Sequence, residues 1–246
     1  MKHRKWIILF SLILVILAVL LHFVHYLIFK DPEHMLSFMV GDIAFIPIDV
    51  LIVTLIIDKV LSANEKRSKM QKLNMIIGAF SSAVGTRLLK SLSEFNVDID
   101  GLTKNLAITN EWTEENFYNA SKQFKKYKYK MDGQKGDLQK LKDFLMDEHD
   151  FMLNTLGNSN LLEHDRFTDL LWAVFHLMEE LAHREYVTEL SDKDYEHLSG
   201  DMKRAYTLLI YEWLEYIGHL KNNYPYLFSL AMRTNPFDSS AMPEIE

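Results

Sequence analysis

The first quarter of the chain contains two long apolar segments with a short polar segment between them. The first covers residues 6–29 without a formal charge, and the second covers residues 35–57. At about 1.5 Å per residue, either segment is long enough as a helix to cross a hydrocarbon core of about 30 Å. Because only residues 30–34 connect them, the two predicted transmembrane helices should form an antiparallel hairpin. A cleaved signal peptide is less favoured, since the first run is too long and no small-residue cleavage site follows it.

Basic residues beside the two apolar segments predict their orientation. Those residues are Lys2, Arg4 and Lys5 before the first segment, and Lys59, Lys66, Arg67, Lys69 and Lys72 after the second. The connecting segment holds only Lys30. Because Lys and Arg next to membrane spans stay on the cytoplasmic side, both termini are expected to be cytoplasmic.

Beyond the hairpin, apolar residues recur at steps of three and four, which predicts helices. The second span is expected to continue as a juxtamembrane helix over residues 59–95. Residues 96–111 are a predicted linker, because Gly, Asp and Asn there favour turns. A cytosolic helical bundle is expected over residues 112–234, and a disordered tail over residues 235–246. The predicted fold class is an all-α membrane protein, with a transmembrane hairpin in residues 1–58, a long juxtamembrane helix and a cytosolic bundle.

Composition supports this fold and excludes several classes of function. The chain of 246 residues has only 9 Gly and 5 Pro, which argues against a turn-rich β-fold. The absence of Cys excludes disulfide scaffolds, thiolate metal sites and Cys nucleophiles. The net charge of -7 argues against nucleic acid as a partner. No catalytic motif is present, so a non-enzymatic protein without a cofactor is predicted.

Four ionisable residues lie within the predicted spans: His22, His25, Asp42 and Asp49. Asp42 and Asp49 are two helical turns apart and share a face, and His22 is expected at the depth of Asp42. Ionisable residues in a membrane normally face other protein groups. One interpretation is that they hold the helices in register. The alternative is a proton or cation path, which requires an oligomer because two helices cannot enclose a pore.

Small residues cluster in the predicted juxtamembrane helix, at Gly78, Ser81, Ser82 and Gly85. Glycine inside a helix costs up to about 1 kcal/mol, so a compensating close helix contact is expected. A contact between protomers would make this segment an oligomerisation neck. In the alternative interpretation, the same residues pack against their own domain.

A run of lysines alternates with aromatic residues between positions 122 and 130. The lysines are Lys122, Lys125, Lys126, Lys128 and Lys130. This pattern favours contact with a membrane surface. The alternative is a helix that runs to Met131, whose lysine side chains cover its own aromatic face.

His176, Glu179 and His183 have the spacing of metal ligands on one helical face. The apolar stripe of the same helix is centred on the opposite face, however. A ferritin-like di-iron centre needs ligands that point into the bundle. The three residues are therefore expected to face solvent, and no metal site is predicted.

Two segments carry a resemblance to a known family. They are residues 72–89, KLNMIIGAFSSAVGTRLL, and residues 197–237, which begin HLSGDMKRAYTLLIYEWLEY. Both resemble an uncharacterised family of prokaryotic two-span membrane proteins with a C-terminal helical cytosolic domain. The resemblance implies a location in the prokaryotic inner membrane and brings no activity or functional residue with it.

These observations predict a non-enzymatic scaffold or signal-relay protein in the lipid bilayer. It would self-associate through the second span and the neck, and it would bind a cytosolic protein partner. An oligomeric proton or cation channel that uses the intramembrane Asp and His residues is the alternative. A metal-binding enzyme in the helical bundle ranks third.

Overall fold

A computed structural model describes residues 2–238 and 240–244, and every regular element in that part is helical. The α-helices are α1 (Lys2–Phe29), α2 (Pro32–Phe80), α3 (Thr86–Ser93), α4 (Ile99–Leu106), α5 (Glu114–Lys125), α6 (Leu138–Asp147), α7 (His149–Leu156), α8 (Asp165–Ala182), α9 (Asp192–Asn223) and α10 (Pro225–Arg233). The predicted all-helical class is confirmed. The chain divides into two compact units, Met1–Glu65 and Lys66–Glu246.

A two-residue turn connects α1 to α2. Lys30 has a φ angle of 51°, in the left-handed region, and its N–H donates to the carbonyl oxygen of Tyr26 at 2.9 Å. Asp31 then accepts a hydrogen bond through Oδ1 from the N–H of Glu33 at 3.1 Å. Pro32 occupies the first position of α2, where its missing N–H costs nothing. The turn thus satisfies backbone groups at the end of one helix and the start of the next.

The side chains of the first unit are exposed. From Trp6 to Glu65, every side chain that the structure describes is exposed except that of His25, which is half-buried. Two apolar windows, within Ile8–Ile28 and Met39–Ser93, have mean hydropathies of 2.7 and 2.3 and are 0% buried. Within the described part of this unit, the apolar side chains of α1 and α2 are therefore largely open to the surroundings, and the transmembrane hairpin stays a prediction. The side chains of Lys2, Arg4 and Lys5, which support the predicted orientation, lie outside the described residues.

Helices α8 and α9 form the centre of the second unit. Helices α6 and α7 pack against α8, while α3, α5 and α10 pack against α9. The stripe that α8 buries contains Phe167, Leu170, Leu171, Val174, Leu177, Met178 and Leu181. The stripe that α9 buries contains Leu198, Met202, Ala205, Leu209, Trp213, Ile217 and Leu220. Both stripes recur every three or four residues, so each helix places one continuous apolar face in the core.

The predicted juxtamembrane helix, residues 59–95, is interrupted in the structure. Helix α2 ends at Phe80, and a π turn, Ser81–Gly85, separates it from α3. The hydroxyl of Thr86 donates to the carbonyl oxygen of Ser81, five residues earlier, at 3.0 Å. A π turn inserts one extra residue into the helical ladder, so the faces of α2 and α3 are out of step with a single α-helix.

The segments predicted to be a linker and a disordered tail both contain buried residues in the structure. Residues 96–111 contain α4, whose Leu102 and Leu106 are completely buried because they lie one helical turn apart on one face. In residues 235–246, Phe237 is buried and packs edge-on against Trp213 at a ring separation of 5.3 Å. The beginning of the predicted disordered tail is therefore part of the core. Ser239, Ile245 and Glu246 lie outside the described residues.

Glu212 is a buried carboxyl on α9, and its Oε1 has no hydrogen-bond partner among the described residues. Burial raises the pKa of Glu212 from 4.5 to about 7, opposed by the charge of Arg166 and assisted by that of Glu215. Because the folded state holds this proton more tightly than the unfolded chain, stability is lost as the pH rises from 4.5 towards 7.

We expect Glu212→Gln to stabilise the domain above pH 7 by up to about 3 kcal/mol, since the amide keeps the shape and removes the charge. Near pH 4.5 the variant and the parent should be equally stable. Thermal unfolding at pH 5 and at pH 8 measures the difference. Glu196→Gln, at an exposed position of the same helix, is the control. A Glu212→Gln variant that is less stable than the parent at pH 8 would contradict this account.

Candidate metal centre

Two pairs of metal-ligating side chains meet where α8 packs against α9. Helix α8 supplies His176 and Glu180, and α9 supplies His197 and Asp201. Each pair is four residues apart, so both members project from one face of their helix. One ligand atom from each of the four residues lies within 4.8 Å of the other three.

The distances between these atoms are close to those around a bound ion. Oδ2 of Asp201 lies 3.5 Å from Nε2 of His176 and 3.3 Å from Nε2 of His197. Glu180 lies 3.4 Å from His197 through Oε2, and 3.9 Å from His176 through Oε1. Ligands on a tetrahedral zinc ion, with bonds of about 2.0–2.1 Å, are separated by about 3.3 Å. Small side-chain movements would therefore bring all four into coordination distance.

The four ligands differ in their exposure to solvent. The side chain of Asp201 is 5% exposed, whereas those of His176 and His197 are 45% and 52% exposed. Oδ2 of Asp201 has no hydrogen-bond partner in the described part of the chain. An unpaired buried carboxylate oxygen is costly, so a group that compensates its charge is expected there. The site thus has a buried acidic floor and two imidazoles on its solvent side.

Two arginines contact the carboxylates of the cluster from outside. Arg184 donates to Oε2 of Glu180 at 2.7 Å and contacts Oδ1 of Asp194 at 3.2 Å. This hydrogen bond from Arg184 lowers the pKa of Glu180, which keeps its carboxylate charged and able to bind a cation. Arg204 lies 3.4 Å from Oδ1 of Asp201, the oxygen that does not face the imidazoles.

Two imidazoles and two carboxylates suit a borderline divalent transition metal. Imidazole nitrogen binds zinc, iron and nickel well, whereas calcium and magnesium prefer sites made of oxygen ligands. The chain has no Cys, so no thiolate competes for the ion. The donor set therefore fits zinc, iron or a similar divalent ion.

Comparison with known proteins assigns the chain to a family. A family model described as "Uncharacterized protein MJ1433, C-terminal helical domain" matches residues 69–233, and "MJ1433, N-terminal helical domain" matches residues 2–61. The "Uncharacterized protein MJ1433" of Methanocaldococcus jannaschii is 41% identical over 242 residues, which cover 98% of this chain and 97% of that protein. The chain belongs to the MJ1433 family. All four candidate ligands lie in the part that matches the family's C-terminal helical domain. No solved structure matches the chain.

Only one of the three residues selected from the sequence belongs to the cluster. His176 is a member, but Glu179 and His183 are not. The ring of His183 lies just beyond the end of α8, with Nδ1 2.8 Å from the carbonyl oxygen of Glu179. Sequence reasoning missed the second helix: the spacing of His176 and Glu180 recurs in His197 and Asp201, and this repeated four-residue spacing was the available signal.

The four intramembrane residues lie on the two long apolar helices, His22 and His25 on α1 and Asp42 and Asp49 on α2. Nδ1 of His22 lies 2.9 Å from the carbonyl oxygen of Ala18 in its own helix. Within the described part of the chain, no hydrogen bond or ion pair joins His22 to Asp42. The side chains of Asp42 and Asp49 are exposed, and that of His25 is half-buried. A role in conduction or in helix association remains a prediction for all four.

The small residues of the predicted neck pack mainly against their own chain. A Cβ atom at Gly78 would meet the ring of Tyr216, on α9, at 3.6 Å. Ser81 and Gly85 are buried, and only Ser82 is exposed. Burial of Ser81 and Gly85 in their own domain favours the alternative interpretation for these two residues, and self-association through half-buried Gly78 and exposed Ser82 stays a prediction.

The lysine-rich segment is also arranged differently from the expected surface. Helix α5 ends at Lys125 rather than at Met131. The aromatic rings of Phe124 and Tyr129 are buried, and Tyr129 packs edge-on against Tyr206 at 5.4 Å. The five lysines Lys122, Lys125, Lys126, Lys128 and Lys130 are exposed. Membrane contact through these lysines remains a prediction, without buried Phe124 and Tyr129 as partners.

We expect Asp201→Asn to leave the metal-free domain within about 1 kcal/mol of the parent in stability, or to stabilise it. The change removes the buried charge, and the new amide can donate a hydrogen bond to an imidazole nitrogen that already lies 3.3 Å away. Unfolding of chelator-treated protein measures the effect. A large loss of stability would show that the ion pairs of Asp201 stabilise the metal-free fold, which would contradict its interpretation as a metal ligand.

Proposed function

We propose that the protein is a membrane-anchored metalloprotein whose helical domain binds one divalent transition-metal ion. His176, Glu180, His197 and Asp201 would be the ligands. The observation that carries the proposal is the oxygen Oδ2 of Asp201, which is buried, forms no hydrogen bond within the described residues and lies 3.5 and 3.3 Å from two imidazole nitrogens. This function, ranked third from the sequence, is favoured over the scaffold because a scaffold role gives no reason for that arrangement.

A network of hydrogen bonds between histidine and carboxylate is the competing explanation. Such a network would satisfy the buried carboxylate oxygen, as buried polar groups normally are. Yet neither imidazole forms a hydrogen bond with Oδ2 of Asp201, although both Nε2 atoms lie within 3.5 Å of it. Donor atoms from four residues converge to within 4.8 Å of one another, a separation that also suits four ligands around one cation.

The half-exposed imidazoles also favour an ion that solvent can reach. A structural zinc site is closed by its four protein ligands, whereas a reactive one also binds water or another ligand; here that would be a fifth ligand, reached from the solvent side of the two imidazoles. A divalent ion in such a position lowers the pKa of bound water and polarises bound oxygen atoms. Hydrolytic or ligand-binding chemistry is therefore the class of reaction that this site would support.

We expect the full chain to bind one zinc or iron ion, and His176→Ala to weaken binding by at least about 100-fold, because a direct ligand is lost. His183→Ala is the matched control, since it removes an exposed histidine seven residues further along that lies outside the cluster. Elemental analysis after dialysis and competition with a chromophoric chelator give the stoichiometry and affinity.

A second pair of variants tests which of the two neighbouring glutamates on α8 binds the ion. Glu180→Gln should weaken metal binding, whereas Glu179→Gln should not, because only Glu180 contributes an oxygen to the cluster. Equal affinity in all four variants, or no binding by the parent protein, would refute the metal site.

We also propose that α1 and the first part of α2 insert into a lipid bilayer. Both contain apolar windows that are 0% buried in the described structure, so these helices are not the core of this domain. Such extensive exposed apolar surface is unfavourable in water. The length and the hydropathy of the two segments both suit burial in lipid. The basic flanking residues support cytoplasmic termini.

The absence of native Cys allows a direct test of topology. We expect Glu33→Cys, in the turn region, to react with an impermeant maleimide in intact cells. Ser240→Cys should react only after the cells are permeabilised, because the C-terminus is expected inside. Labelling of Ser240→Cys in intact cells would contradict a cytoplasmic C-terminus. Release of the protein from membranes by alkaline carbonate would contradict insertion into the bilayer.

A further inference from the structure

Arg204 is an exposed cation next to the proposed metal site. It follows Asp201 by one turn on α9, and its Nη1 lies 3.4 Å from Oδ1 of that residue. Its side chain is 61% exposed, and it forms no hydrogen bond with the residues that the structure describes. One edge of the guanidinium is thus held near the site, while its other N–H groups are available to a ligand.

The position of Arg204 matches the open side of the site. His197, Asp201 and Arg204 follow one another at steps of four and three residues, so they share one face of α9. His197 and Arg204 are both more than half exposed, while Asp201 between them is buried. A ligand that approaches the ion from solvent would therefore meet the guanidinium on the same face.

Binding of a metal ion would reverse the charge of this face. Without a bound ion, the carboxylates of Glu180 and Asp201 outweigh the single charge of Arg204, because Arg184 is shared with Asp194. A divalent cation would change the balance from one negative to one positive charge. On a chain with a net charge of -7, this would be a local site for anions.

We propose that the metal-loaded site binds a phosphate group. One phosphate oxygen would coordinate the ion, and a second would accept hydrogen bonds from Arg204, as guanidinium groups commonly bind phosphate. This inference rests on the proposed metal site, because without the ion the carboxylates repel an anion. The phosphate can belong to a soluble monoester or to a lipid headgroup, which present the same chemistry to the site.

The test uses the full chain in phosphatidylcholine nanodiscs, loaded with zinc and dialysed free of excess ion. Calorimetric titration with inorganic phosphate should show binding to the loaded protein and none to the chelator-treated protein. Arg204→Gln should weaken phosphate binding about 10-fold, a typical effect of losing one charged hydrogen-bonding partner. Because Arg204 contacts the ligand Asp201, its loss can also change zinc affinity, so the zinc content of the variant is measured beside each titration and phosphate binding is compared per bound ion.

Lys203→Gln is the matched control, since it removes an exposed basic residue one position away on a different face of α9. It should bind phosphate as the parent does, and Arg204→Lys should recover part of the affinity. Equal phosphate affinity in Arg204→Gln and the parent, or no phosphate binding by the zinc-loaded parent, overturns this inference and leaves the metal site standing. Failure of the parent to bind zinc overturns both.

Competing ligands identify the source of the phosphate. If the group is a lipid headgroup, nanodiscs that contain phosphatidic acid should lower the apparent affinity for inorganic phosphate. If it is soluble, glycerol phosphate should compete and phosphatidic acid should not. Either result supports the proposal, whereas competition by neither contradicts it.

Discussion

The second unit depends on the antiparallel pairing of α8 with α9. His176 lies opposite Asp201, and Glu180 lies opposite His197, so four residues forward on α8 correspond to four residues back on α9. Arg166, near the start of α8, hydrogen-bonds to Tyr211 and obeys the same register. The apolar stripes of the two helices fix this register, because a slip of one turn would leave core side chains without partners. The site is therefore a consequence of core packing, although its own residues are polar.

Two buried carboxyls on α9 show how surroundings determine chemistry. Asp201 and Glu212 each have an oxygen without a hydrogen-bond partner in the described residues. Around Asp201, two imidazoles and an arginine converge, so the charged form suits a cation. Around Glu212, burial raises the pKa to about 7, and the neutral acid relieves the cost of desolvation. The same functional group, a buried carboxyl on one helix, would thus serve as a metal ligand at Asp201 and as a proton-binding group at Glu212.

The sequence predicts single helices well and contacts between helices poorly. The periodicity of apolar residues identifies α8 and α9, because burial of one face is a local pattern. It also placed His176 away from the core of α8, but it could not show that the edge of that face meets α9. Gly78 and Leu102 illustrate the same limit. The small residue Gly78 does not indicate which helix packs against it. The turn-forming residues around Leu102 do not indicate that it lies in a buried helix, α4.

An ion at this site would act on the whole domain through the central helix pair. Ligands from both helices can meet at one ion only while α8 and α9 keep their register, so binding would select the folded pairing over any loosened one. The stabilisation grows with the logarithm of the free ion concentration above the dissociation constant. Since α9 also contacts α3, α5 and α10, the same binding energy would favour the packing of these helices. Metal occupancy and the integrity of the core would in this way be coupled through four side chains at the edge of the central interface.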